Sequence, residues 1–264
     1  MRHKQLSPRL AAVADMIPEG AAFADVGTDH AYLPICLVQS GRTPWAVAVD
    51  VREGPYLRAR QAVAKAGLAE RIDVRLGDGL TALAPGEVDT VVLAGMGGGL
   101  MQKLLTADPE KTRTFRRLVL QPNMATHLVR SALYRHRWKL MDERFVLDDG
   151  HLYEILVYEQ GADDAYMAAA EKLGGEKALS FLRDDWFLLF LLGPRQLQKG
   201  WEGQDETQRR LLFRRMEQAG DKLQYILDGL RQARSPAERA KIDTLKNQLA
   251  QLEVLAQCMR TVKP

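Results

Sequence analysis

The chain has 264 residues, 46% hydrophobic and 27% charged, with Gly 21, Pro 11 and Cys 2; this profile excludes both an intrinsically disordered chain and a disulfide scaffold. Its formal net charge is +3, from 37 Lys plus Arg against 34 Asp plus Glu, which excludes a histone-like excess but leaves room for a one-sided local field. Cys36 and Cys258 are far apart, and neither has a second Cys or a His at metal-ligand spacing, so both read as reduced thiols of a cytosolic protein and no metal is expected.

In chain order, MRHKQLSPRL is charged with no apolar run behind it, so no secretory signal is expected. Ser7 and Pro8 start a helix, Ser as N-cap and Pro at the first helical position, with Leu10, Val13 and Ile17 on one face. Ala22 to Val26 reads as a strand, Tyr32 to Ser40 as a helix, Trp45 to Val49 as a strand and Arg58 to Gly67 as a helix. Ile72 to Leu76, Thr90 to Ala94 and Arg117 to Leu120 read as further strands. Near-continuous apolar strands alternating with helices call for a parallel sheet covered on both faces, an α/β fold. Beyond a helix over Ala125 to His136, the strands Lys139 to Leu147 and Leu152 to Glu159 flank Asp148-Asp149-Gly150, a hairpin turn. A terminal antiparallel hairpin on a parallel sheet suits the Rossmann-like sheet of methyltransferases that use S-adenosylmethionine (SAM); a dinucleotide-binding dehydrogenase half does not need one.

The texture changes near Gln160 to Asp164, which predicts a first domain over 1–160 and a helical second domain over 161–264. The two parts carry 20 basic against 19 acidic and 17 against 15 side chains, so neither is strongly basic as a whole. Lys177 to Leu192 reads as one apolar helix; its longest apolar run, from Trp186, is far shorter than the ~18 residues of a membrane span. Leu212, Met216, Ala219, Leu223, Ile226 and Leu230 recur at helical spacing, as do Ile242, Leu245, Leu249, Leu252, Ala256 and Met259. Ser235-Pro236-Ala237-Glu238 between them restarts a helix with a capping box. The expected product is an antiparallel coiled-coil hairpin.

Chemistry-bearing residues gather at predicted strand ends. Asp25-Val26-Gly27-Thr28-Asp29-His30 follows the first strand, where a small residue and a helix amino terminus let a ligand approach the backbone. The second and third glycines of G-x-G-x-x-G are missing, and Asp25 and Asp29 would repel a pyrophosphate while suiting a cationic ligand such as SAM. Asp50, with Val51 beside it, ends the second strand where an acid can take both ribose hydroxyls. Asp78 and Gly79 follow the third strand, placed for an adenine amino group; Ala94, Gly95 and Met96 follow the fourth, bordering a methyl-transfer site. Taken singly these are equally a helix cap, turns and a loop. Four at successive strand ends of one sheet point to a nucleotide-like cofactor.

Ala24 to Pro34 (ADVGTDHAYLP), Gly77 to Leu80 (GDGL), Leu93 to Gly99 (LAGMGGG) and Leu120 to Asn123 (LQPN) together resemble the bacterial tRNA (adenine-22-N1)-methyltransferases, and the resemblance runs over essentially the whole chain. It implies methylation of N1 of an adenine in the D-arm region of tRNA, with SAM as donor. Carried over, Gly27, Asp29 and His30 match the first motif, Asp50 the ribose-binding acid, Asp78 and Gly79 the adenine side, and Gly95 and Met96 the loop over the reaction centre. The Asn/Asp-Pro-Pro-Tyr/Phe sequence that orients an exocyclic amino group is missing from the fourth-strand loop, which disfavours N6 methylation. Asp29 is the expected catalytic residue, accepting a hydrogen bond from adenine N6; capping the first-motif helix or holding the methionine end of SAM are its alternative roles.

Selecting one adenine in a folded tRNA also requires a remote grip on phosphates. The candidates are Arg2, Lys4 and Arg9, then Arg130, Arg135 and Arg137, then Arg209, Arg210, Arg214 and Arg215, each cluster equally readable as a solvated face. The competing functions are methylation of another RNA base or a small molecule, a nicotinamide-dependent oxidoreductase, and a non-catalytic RNA-binding module. The expected protein is cytoplasmic, a monomer or weak homodimer.

Overall fold

The computed structural model describes residues 6–161, 164–203, 205–230 and 235–262. The chain divides into two compact units, Met1–Asp163 and Asp164–Pro264, a boundary slightly beyond the one expected from composition.

The first unit is built on one seven-stranded sheet. Its strands are β1 (Phe23–Val26), β2 (Ala46–Asp50), β3 (Ile72–Leu76), β4 (Thr90–Met96), β5 (Arg117–Pro122), β6 (Trp138–Asp148) and β7 (His151–Gln160), in the order β3-β2-β1-β4-β5-β7-β6. The pairs from β3 across to β5 are parallel, whereas β7 runs antiparallel to both β5 and β6. Asp149 and Gly150 both take positive φ in the β6–β7 turn, the backbone that a tight hairpin of right-twisted strands demands. Order reverses between β1 and β4, and a crevice opens there at the carboxyl ends of the strands.

Helices α1 (Pro8–Asp15), α2 (Tyr32–Gln39) and α3 (Glu53–Lys65) pack Val13, Leu37, Ala59 and Val63 onto one face of the sheet with Ala46, Ala48, Val92, Val119 and Val157. The alternate residues Val91, Leu93, Leu118 and Leu120 are equally buried and point to the opposite face. Helices α4 (Gly98–Ala107) and α6 (Thr126–Arg135) pack on each other there, and the one-turn α5 (Pro109–Thr112) joins α4 to β5. Ser7 caps α1, its side chain accepting from Leu10 N–H, with Pro8 in the first turn as expected. Helix α3 begins at Glu53 rather than Arg58. Pro55 lies in its first turn, where its missing N–H has no intrahelical partner to lose.

The second unit is helical: α7 (Ala165–Leu173), α8 (Phe187–Leu192), α9 (Pro194–Glu202), α10 (Glu206–Gly229) and α11 (Pro236–Thr261). The single helix expected over Lys177 to Leu192 is corrected to a 3-10 segment, Lys177–Arg183, and a separate α8. The chain restarts because the Asp185 carboxylate accepts from Phe187 N–H, a local bond that competes with helix continuation. Helices α10 and α11 pack through Leu212, Met216, Ala219 and Leu223 against Leu245, Leu252, Leu255 and Met259. They are antiparallel: Arg209 near the start of α10 donates to the carbonyls of Met259 at 2.7 Å and Val262 at 2.8 Å at the end of α11. The capping box at Ser235 and Glu238 is present. No described helix is long and apolar enough to cross a membrane.

Candidate active site

Loops after β1, β2 and β3 are stitched together across the strand ends. Gly27 and Thr28 N–H both donate to the Val49 carbonyl, at 2.8 and 3.0 Å, and Gly77 N–H donates to the Asp50 carbonyl at 3.0 Å. Between these loops lies a cavity of about 300 Å³ lined by Gly27, Asp50, Val51, Asp78, Gly79, Ala94, Gly95 and Met96, with Leu100 and Leu104 as apolar wall. The sequence-predicted positions from four separate strand ends therefore surround one space. Gly27 has φ +90, a backbone that side-chain-bearing residues rarely adopt, and a Cβ there would lie 2.9 Å from the flexible end of Met96, so it is the backbone conformation that favours glycine at this wall. Asp50 is buried; its Oδ1 accepts from Arg52 N–H at 2.8 Å, which fixes the carboxylate at the cavity.

Asp25, Asp29 and His30, also expected at the cofactor, line an adjoining cavity of about 530 Å³ with Arg9, Thr28 and Tyr32. The two spaces share Gly27, Arg52, Ala94 and Gly95. Asp25 is buried at the end of β1, and that burial pushes its carboxyl from 3.8 up to about 6, against the lowering influence of its hydrogen bond with Thr28 and of the Arg9 charge. Asp29 is 54% exposed. Arg58 donates through Nε at 3.1 Å and through Nη2 to its Oδ1, and His30 Nε2 lies 3.5 Å from Oδ2. The Arg58 hydrogen bond holds the Asp29 carboxyl below the usual carboxylate range, and the His30 charge adds to it.

Sequence reasoning missed the group that shapes the β4 loop. Ladder register between β4 and β5 shifts at Gly95, which has φ +79. The freed Gly95 N–H donates to Gln121 Oε1 at 3.1 Å, and Arg9 Nη1 donates to the same oxygen. Gln121 Nε2 donates to Asn123 Oδ1 at 3.1 Å, and Asn123 Nδ2 donates to the Gly95 carbonyl at 2.7 Å. Gln121 and Asn123 stand in the quoted LQPN segment, but a strand-end Gln and Asn carry no charge or spacing that singles them out.

Burial corrects two candidates for phosphate contact. Arg130 is 0% exposed, donating from Nε to Glu143 at 2.6 Å and from Nη2 to Glu154 at 2.7 Å, so its charge is neutralised inside the first unit. Arg209 is buried as the carboxyl-terminal cap of α11. Arg135, Arg137 and Arg210 are exposed, while Arg214 and Arg215 are half-buried and Arg215 Nη2 donates to the Leu191 carbonyl at 3.2 Å. Half-buried Arg9 is turned toward Gln121 and the Tyr153 ring, 5.4 Å from its centroid. Arg2 and Lys4 lie outside the described residues. No cluster of three or more metal-ligating side chains occurs among the described residues.

The residues present fit SAM: a buried acid beside a glycine wall and an apolar side, with no phosphate-binding glycine run. Comparison with known proteins agrees. A family described as "Methyltransferase domain" matches residues 6–156. The tRNA (adenine(22)-N(1))-methyltransferase of Bacillus subtilis (strain 168) is 38% identical over 221 residues, covering 84% of this chain and 90% of the relative. The crystal structure of the B. subtilis M1A22 tRNA methyltransferase TrmK is 34% identical with a TM-score of 0.79, covering 96% of this chain and 99% of that one. A Streptococcus pneumoniae protein solved in complex with S-adenosyl-L-methionine is 30% identical with a TM-score of 0.71, covering 95% of this chain and 100% of the other. With the Rossmann-like sheet, the strand-end cavity and these likenesses in hand, the chain belongs to the tRNA (adenine(22)-N(1))-methyltransferase family.

Proposed function

We propose that this chain transfers a methyl group from SAM to N1 of the adenine at position 22, in the D-arm region of tRNA. The observation that carries this reading is the pair of adjoining cavities sharing Gly27, Ala94 and Gly95: one holds the strand-end acids suited to a nucleoside cofactor, the other a separate acidic and aromatic lining. When bound, SAM supplies a methyl group activated on a sulfonium centre.

Asp50 holds the ribose hydroxyls, Asp78 at the rim accepts from the adenine amino group, and Val51, Leu100 and Leu104 flank the cofactor's apolar surface. The target N1 has an in-plane lone pair and no proton, so the protein needs no general base; its task is alignment, and stabilisation of the positive charge that grows on the ring. Asp29 is the residue for the second part. Its carboxylate, kept ionised by Arg58, accepts from the target adenine's N6. Asp25 and His30 complete the lining of that side, and the Gln121–Asn123 bonds hold the Gly95 loop between the two spaces. Arg9, Arg135, Arg137, Arg210, Arg214 and Arg215 remain the residues proposed for phosphate contact. The reaction belongs to the cytoplasm, where its tRNA substrate resides, and asks no more than a monomer or weak homodimer.

Incubation with methyl-labelled SAM and unmodified tRNA transcripts, followed by nuclease digestion, tests the reading. Label in 1-methyladenosine supports it. Label in another nucleoside, or in protein alone, overturns it.

A further inference from the structure

Tyr32 is the first residue of α2 and is 57% exposed. Its ring stacks on His30, with centroids 5.0 Å apart and planes inclined by 20°. One face of the phenol is therefore covered and the rest opens on the second cavity. The arrangement depends on Ala31 between them. Ala31 sits in the left-handed region, φ 52 and ψ 28, a conformation that costs a non-glycine residue roughly 1 kcal/mol or more. The buried Thr28 Oγ1 accepts from Ala31 N–H at 3.2 Å and holds the kink in place. With Ala31 inverted, residues on either side of it turn their rings to the same side of the chain.

We propose that the Tyr32–His30 pair is a stacking platform for the purine ring of the extruded target nucleotide, and that Tyr32 is a positioning residue for the methyl transfer. An adenine laid on the free face of Tyr32 sits beside Asp29, which precedes the pair and takes N6. Its ring edge then faces the Gly27 and Gly95 backbone shared with the cofactor cavity. Stacking is how proteins hold a single unpaired base, and it needs a flat, accessible aromatic face of this kind. The platform rests on the methyltransferase reading above.

The test compares the parent with Tyr32→Ala and Tyr32→Phe in tRNA methylation. Tyr32→Ala lowers kcat/KM for tRNA by about tenfold to a hundredfold, the scale of one lost base–aromatic contact. Tyr32→Phe, which keeps the ring, recovers most of that loss, a rescue that a merely structural role for the hydroxyl would not give. SAM affinity measured by calorimetry stays within about twofold of the parent, and the salt dependence of tRNA binding keeps its slope, because no phosphate contact is lost. Equal kcat/KM for parent and Tyr32→Ala overturns the platform, as does a parallel loss of SAM affinity. A parent that methylates no tRNA defeats the reading beneath it, an outcome distinguishable from either.

Discussion

Gln121 Oε1 accepts the Gly95 N–H at 3.1 Å, and through this bond a buried side chain of β5 sets the loop between the two cavities. Gln121→Leu leaves the Gly95 N–H and the Arg9 guanidinium without their shared acceptor. A loss of about 2 kcal/mol in folding stability follows, with weakened SAM binding because the Gly95 backbone lines the cofactor cavity. Chemical denaturation and calorimetry read both effects; parental SAM affinity in the Gln121→Leu variant would show that the loop holds its shape unaided.

Asp29→Asn keeps an oxygen that can accept from adenine N6 but removes the charge. Methyl transfer should fall at least about a hundredfold while SAM affinity is spared, since the carboxylate lines the second cavity, proposed above for the target adenine. Single-turnover assays and SAM titration separate the two. A parallel loss of SAM affinity would move Asp29 to the cofactor.

Asp25 gives stability a pH signature. Its folded carboxyl is raised from 3.8 to about 6, so between those values the folded protein holds the proton more tightly than the unfolded chain does. Stability arising from this group therefore falls as pH rises through the window, and the full cost is present above it. In Asp25→Asn the cost is gone: relative to the parent, the variant should gain about 3 kcal/mol between the acid and neutral ends of the window. Denaturation curves at a series of pH values measure the difference. A gap that does not change with pH contradicts the assignment.

Neighbouring arginines on α10 should behave oppositely. Arg209→Ala uncovers the carbonyls of Met259 and Val262 and should cost about 1–3 kcal/mol of stability. Arg210→Glu, at an exposed position, should leave the melting temperature nearly unchanged, weaken tRNA binding and reduce its salt slope by about one counterion or more. Binding isotherms at several salt concentrations decide the second point; an unchanged slope removes Arg210 from the RNA surface.

Much of this was legible from residue order. Apolar strands and strand-end acids announced the sheet and the cofactor cavity, since a covered parallel sheet and a ribose-binding acid each require a residue type at a fixed place. The Ser7-Pro8 and Ser235-Glu238 starts follow from backbone capping, which is local. Tertiary partners were not legible. Arg130 and Arg209 look like other surface arginines until Glu143, Glu154 and the end of α11 are placed around them. Gln121 and Asn123 gain their role only through the register shift at Gly95, and the split of the strand-end acids between two cavities depends on the course of the loops rather than on spacing.

The central claim is that the methyl group lands on N1 of one adenine. N1 methylation blocks the pairing edge, so reverse transcription of treated tRNA should stop beside position 22 in a SAM-dependent way, and the stop should vanish when the transcript carries guanine there. A stop elsewhere, or methyl incorporation into the adenine-22 transcript with no stop at all, would contradict the account.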